Sequence, residues 1–278
     1  MKIFISTDME GVAGVVSWNE MNKNPLYCDL LNEELKIIIK NIEKSELNNK
    51  IEEFVICDSH SRGENIPYGK IDDERVSWIR GYPRPLYMMQ GLDKSFDMVM
   101  FIGYHAMIGS YRGGMDHSYS SSCIYNIRLN GRTVGETEIN TYYAGYFGVP
   151  VTLISGDDVF ESQVYDFFGN DFPFARTKNG IGRYSAQTFN MKKIEKNYSN
   201  AINTMVNNVG RFKVYSPENI NELEVDLVNT VIADGVSFVP GLERISGRTV
   251  KYCSDDYIDL FKMILTIANL GGKFSDYI

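Results

Sequence analysis

The chain has 278 residues, of which 44% are hydrophobic and 23% charged, enough to bury the core of one large domain or two smaller ones. Its 36 Asp and Glu against 28 Lys and Arg give a formal net charge of −8, which argues against a nucleic-acid footprint, since that needs a basic patch or stripe, and suits a cationic or zwitterionic small substrate. No apolar run approaches the roughly 18–20 residues of a membrane span, and the opening Ile3-Phe4-Ile5 is too short for a secretory leader, with Asp8 and Glu10 close behind, so a cytoplasmic protein is expected.

Residues 2–7 predict a strand that ends in Asp8-Met9-Glu10-Gly11. Residues 29–48 predict an amphipathic helix, with Leu30, Leu31, Leu35, Ile38, Ile39 and Ile42 near helical spacing. Residues 52–57 predict a second strand leading into Asp58-Ser59-His60, and residues 97–103 a third leading into Gly103-Tyr104-His105. Between them, 61–96 are poorly periodic and rich in Gly and Pro, and 106–122 are rich in Gly and Ser. Long irregular stretches inside a domain are usually functional or mobile. Alternation over 123–129 followed by Asn130-Gly131 signals a hairpin. Residues 136–147 predict a helix, 151–154 a strand, and Asp157-Asp158 the cap of a helix over 158–168.

Beyond that, a polar helix is expected over about 186–209, strands near 223–232 and 247–253, and an apolar helix from about 256 to 270. The alternation predicts an α/β fold: a three-layer, mostly parallel sheet domain over 1–188 and a smaller α+β domain over 189–278. Cys28, Cys57, Cys123 and Cys253 are scattered, with no Cys-x-x-Cys, and read as buried thiols.

Chemistry concentrates at strand ends. The chain has three histidines, His60, His105 and His117, and two of them follow predicted strands. In open α/β sheets, ligands bind outside the carboxyl ends of the strands. Asp8-x-Glu10 after the first strand, His60 after the second and His105 after the third therefore point to one cluster of metal ligands. Any one of them alone is better read as a solvated acid or a satisfied histidine. Imidazole with carboxylate suits Zn, Mn, Fe or Co, and the lack of thiolates points to a catalytic site. Asp58 could orient the His60 ring or bind metal itself. Glu136 and Glu138 open a helix, where the bland role of an acid is to complement the dipole. His117 lies in a Gly-rich loop, as a further ligand or as an acid–base group that arrives when the loop closes. No Walker loop, dinucleotide fingerprint, nucleophile elbow or His-Glu-x-x-His helix is present.

These segments together resemble the zinc-dependent D-aminopeptidase family, once labelled dipeptide transport proteins. The matching pieces run in order through Ser6-Thr-Asp8-Met-Glu10-Gly11, Asp58-Ser-His60-Ser61, Gly103-Tyr-His105-Ala106, His117-Ser118, Val134-Gly-Glu136, Gly156-Asp157-Asp158, Ile181-Gly-Arg183 and Pro240-Gly-Leu-Glu243. The match is weaker over 61–96 and 159–180. The resemblance implies that Asp8, Glu10, His60, His105 and Glu136 bind two zinc ions per subunit, with Mn or Co as substitutes, and that His117 is catalytic. It also implies a small peptide substrate cleaved at its N-terminus, D-residues included, and a ring-based homo-oligomer, a decamer. A two-metal hydrolase of another amide or a phosphoester remains open, with Arg62, Arg80, Arg84 and Arg112 as phosphate clamps. So does a peptide-binding transport component.

Overall fold

Two sheets organise the computed structural model, which describes residues 1–21, 24 and 26–275. In chain order the strands are β1 (Lys2–Thr7), β2 (Glu53–Asp58), β3 (Val76–Ile79), β4 (Met98–Ile102), β5 (Ile124–Leu129), β6 (Arg132–Thr133), β7 (Val151–Asp157), β8 (Phe174–Gly182), β9 (Ser185–Thr188), β10 (Glu222–Leu227), β11 (Glu243–Arg244) and β12 (Thr249–Cys253). The helices are α1 (Trp18–Met21), α2 (Leu26–Glu43), α3 (Glu136–Tyr146), α4 (Asp158–Phe168), α5 (Met191–Asn207), α6 (Thr230–Val236) and α7 (Tyr257–Ser275).

The larger sheet has the order β3-β2-β1-β4-β7-β8-β9 and is parallel except for the β8–β9 hairpin. β4 is buried along its whole length, as a strand covered on both faces must be. Side chains alternate across the sheet. Ile3 and Ile5 of β1 join one core with α2 and α5, while Phe4 joins another with Val99, Phe101 and α4. β1 lies between β2 and β4, with Thr7 level with Asp58 on one side and Ile102 on the other. The chain thus departs in opposite directions from adjacent strand ends, and the crevice that opens there is where such folds bind ligands.

The smaller sheet is antiparallel, in the order β11-β12-β10-β5-β6, and is covered by α6 and α7. The architecture is therefore mixed α/β, with a large mostly parallel sheet and a smaller α+β region. The smaller sheet draws strands from both sides of residue 188, and α5 packs on α2 and β8 of the larger one. Residues 276–278 of the predicted second unit lie outside the described residues.

Three local expectations change. The polar helix begins at Met191, because Asn190 caps it by accepting from Lys193 N at 3.1 Å, and 185–188 pair as β9 instead. The strand expected over 223–232 stops at Leu227, since Asn229 caps α6 through Ile232 N at 3.0 Å, so the β-branched Val231 and Ile232 are helical. β3, inside the stretch read as irregular, is a half-exposed edge strand with no clear alternation. Of the four thiols, Cys57 and Cys123 are buried, Cys28 is half-buried and Cys253 is exposed.

Candidate metal centre

The turn after β1 is built against the end of β4. Asp8 N donates to Ile102 O and Gly11 N to Gly103 O, both at 2.7 Å. The approach is so close that a Cβ on Gly11 would stand 1.9 Å from Tyr104 O, so only glycine fits. From below, the buried Lys178 Nζ donates to Glu10 O at 2.5 Å, Val12 O at 3.0 Å and Val15 O at 2.6 Å. Glu34 accepts from Ala13 N at 2.7 Å and from Tyr198 OH at 2.5 Å. The carboxylates of Asp8 and Glu10 thus project from a turn held on every side.

Burial pulls Lys178 down to about 8 and lifts the Glu34 carboxyl to about 7. A raised carboxyl binds more protons when folded. Its stabilisation is complete below the ordinary Glu range and is lost as pH rises through about 7. Glu34→Gln should therefore flatten the fall in stability between pH 5 and 7, a change of about 3 kcal/mol across the titration. Thermal melts of parent and variant across that range measure it; equal slopes would refute it.

Five of the predicted residues, with His117, meet at the crevice. His60 Nδ1 lies 3.0 Å from Asp8 Oδ1 and 3.1 Å from Glu10 Oε2. His105 Nε2 lies 3.4 Å from Asp8 Oδ2 and 3.6 Å from Glu136 Oε1, and His117 Nε2 lies 3.7 Å from the same Glu136 oxygen. Two sets of metal-type donors result, Asp8/Glu10/His60 and His105/His117/Glu136, each with its donor atoms within 4.8 Å of one another. Asp8 stands between them, one oxygen toward each. His105 and His117 stack at 4.1 Å between ring centroids.

The donor atoms fit a cation. His105 Nδ1 faces Ala106 O at 3.0 Å, and His117 Nδ1 faces Met115 O at 3.0 Å. A carbonyl only accepts, so each Nδ1 carries a proton, and in the neutral ring Nε2 turns a lone pair toward carboxylate oxygen. His105 Nε2 is buried with no hydrogen-bond partner among the described residues. Such an arrangement requires positive charge between the groups, from a proton or a metal ion. The titration behaviour expresses the same demand. Burial opposes charge on His60 and His105, yet the attraction of Glu10 and Glu136, respectively, outweighs it and holds both imidazoles well above their usual range. Burial likewise opposes charge on Glu10, but His60 keeps its carboxyl well below the usual range. Asp8 is raised, by burial and then by Glu10, while burial and the neighbouring His105 lower His117. Imidazole nitrogens and carboxylate oxygens without thiolates make a zinc-type donor set.

Other residues singled out by the sequence hold the frame. Asp58 turns away from the His60 ring and accepts from Asn65 N at 2.6 Å and Ile66 N at 2.8 Å. Asp157 caps α4 through Phe160 N and also accepts from Gly114 N at 2.7 Å, while Asp158 accepts from Gly180 N. Glu138 bends back to Gly135 N, whereas Glu136 reaches Tyr119 N at 2.6 Å and the histidines. Arg183 pairs with Asp116 at 3.3 Å, and its carbonyl accepts from Met115 N. The loop carrying His117 is thus fastened by Asp157, Arg183 and Asp116, not loose as its glycines suggested. Arg84 and Arg112 spend their guanidinium donors on backbone carbonyls. Sequence reasoning missed Trp18, whose Nε1 donates to Glu10 Oε1 at 2.5 Å and whose ring meets His117 edge-on. It also missed Tyr119 and Lys178. Trp18 is one of only two tryptophans, the sole hint available.

Comparison with known proteins agrees with this geometry. The chain is 28% identical over 283 residues to a D-aminopeptidase of Bacillus subtilis (strain 168), covering 99% of both. Its structure matches that of the Zn-dependent D-aminopeptidase DppA from Bacillus subtilis, described as a self-compartmentalizing protease, with a TM-score of 0.88, 26% identity and 98% of each chain covered. Residues 1–266 match the D-aminopeptidase family of peptidases, and the chain belongs to that family.

Proposed function

We propose that this chain is a zinc-dependent aminopeptidase that removes the N-terminal residue, D-residues included, from short peptides. The observation that carries this reading is Asp8, set between two groups of imidazole and carboxylate donors in one crevice. Asp8, Glu10, His60, His105 and Glu136 would hold two zinc ions, and His117 would act on protons. Held by those residues, zinc would supply Lewis acidity toward the scissile carbonyl and the attacking water. His117, fixed as one tautomer by Met115 O and kept neutral by burial and His105, takes a proton at Nε2 and returns it to the departing amine. Trp18 orients Glu10 and walls one side of the His117 ring.

Of the four arginines weighed as phosphate clamps, Arg84 and Arg112 are engaged with backbone, which leaves Arg62 and Arg80 for a phosphoester. No helix among the described residues is long and apolar enough to cross a membrane. A cytoplasmic location and assembly as a closed homo-oligomer, a decamer by family resemblance, form part of the same proposal. The test is hydrolysis of D- and L-alanyl di- and tripeptides beside their N-acetylated forms, using protein loaded with zinc. Release from free-amine peptides, faster for D than L and absent after acetylation, is expected. Zinc-loaded protein inert toward all of them would refute the reading.

A further inference from the structure

We propose that a second cavity, adjoining the metal centre and carrying Arg62 and Lys273, receives the α-carboxylate of the substrate, so that free-acid di- and tripeptides are preferred over their amides. This rests on the peptidase reading above. The inner cavity, about 270 Å³, holds the three metal-centre carboxylates. The outer one, about 340 Å³, shares Ser61, Tyr87, Tyr119 and Ser120 with it, so the two adjoin. Among the described residues no carboxylate lines the outer cavity, and its charged members there are Arg62 and Lys273. In a chain of net charge −8, this places a cationic patch beside the metal centre, the complement of a substrate's carboxylate.

The backbone fixes the spacing. Arg62 follows His60 by two residues, so their Cα atoms lie at most about 7.6 Å apart. Between them Ser61 adopts a left-handed turn (φ 50°), braced by Arg84, which donates to Ser59 O and Ser61 O at 3.1 Å. Arg62 is therefore presented from a held turn. Lys273 comes from the last turn of α7, and Asn269, one helical turn earlier, meets Tyr82 OH at 3.5 Å. An extended peptide advances at most about 3.3–3.6 Å per residue, so two or three residues cover the span from His60 to Arg62.

The experiment compares each dipeptide and tripeptide as acid and as amide, by turnover and by calorimetric binding of a dipeptide with a reduced scissile bond in both forms. The zinc-loaded parent is expected to favour the acid by about tenfold or more, the scale of a charge-assisted hydrogen bond. In Arg62→Ala and Lys273→Ala the acid-to-amide ratio should fall toward one, with zinc content retained, and Arg62→Lys should keep part of it. A dipeptide amide bearing a second-position Asp should remain poor; if it matched the free acid, assignment to the α-carboxylate would be overturned. Equal handling of acid and amide by the parent would overturn the subsite while leaving the peptidase. Absent turnover with the binding preference intact would overturn the peptidase while supporting the subsite.

Discussion

Asp8→Asn is expected to be more stable than the parent without zinc and less stable with it. Asp8 is buried beside Glu10, and both effects raise its carboxyl. A raised carboxyl contributes stability below its ordinary range and loses it as pH rises, so at neutral pH burial and Glu10 cost the metal-free fold more than the imidazoles beside Asp8 return. The amide removes that charge and can still accept from Met9 N, which lies 2.9 Å from Asp8 Oδ1. With zinc the order reverses. A metal that binds only the native state adds about 2.7 kcal/mol at a hundredfold excess over its dissociation constant. Asp8 turns one oxygen to the His60 set and the other to His105, so its loss disables both sets. His105→Ala should lose zinc and hydrolysis in the same way. Metal analysis with melts in chelator and in zinc measures this; Asp8→Asn unfolded under both conditions would make the residue structural instead.

The strand ends were legible because their runs are unambiguous. Phe54–Cys57 and Met98–Ile102 contain nothing but apolar residues or a thiol, and each delivers its histidine immediately afterwards. Glu136 was separable from Glu138 only through resemblance, because the two sit in the same first turn of α3. Their difference lies in which way each side chain leaves the helix. Lys178 reads as an ordinary strand lysine; its role depends on three carbonyls some 163 to 168 residues earlier in the chain. The smaller sheet was half visible for the same reason. The β5–β10 pairing, with Arg128 set against Glu224 and Asp226, joins segments 96 and 98 residues apart, and alternation within each strand does not name its partner. Local pattern carries the loops that start at strand ends, and long-range contacts decide which side chains reach them.

His117→Ala should keep both zinc ions and lose about 10²–10⁴ in rate, the range for a group that transfers protons, or about 3–5 kcal/mol. Unlike His105, the His117 ring lines the open crevice. Its Nδ1 proton is committed to Met115 O, so only Nε2 can exchange with substrate. Burial lowers its affinity for a proton. A base of lowered pKa stays competent into mildly acidic solution, and the acidic limb of the parent rate profile should be missing in the variant. The vacated space lies between the face of His105 and the edge of Trp18, a slot shaped for imidazole, and added imidazole should restore part of the rate. The competing role is written into the same geometry, since His117 shares a donor set with His105 and Glu136. A variant that loses one zinc ion and gains nothing from imidazole would make His117 a ligand, and the proton would then have to move through another group.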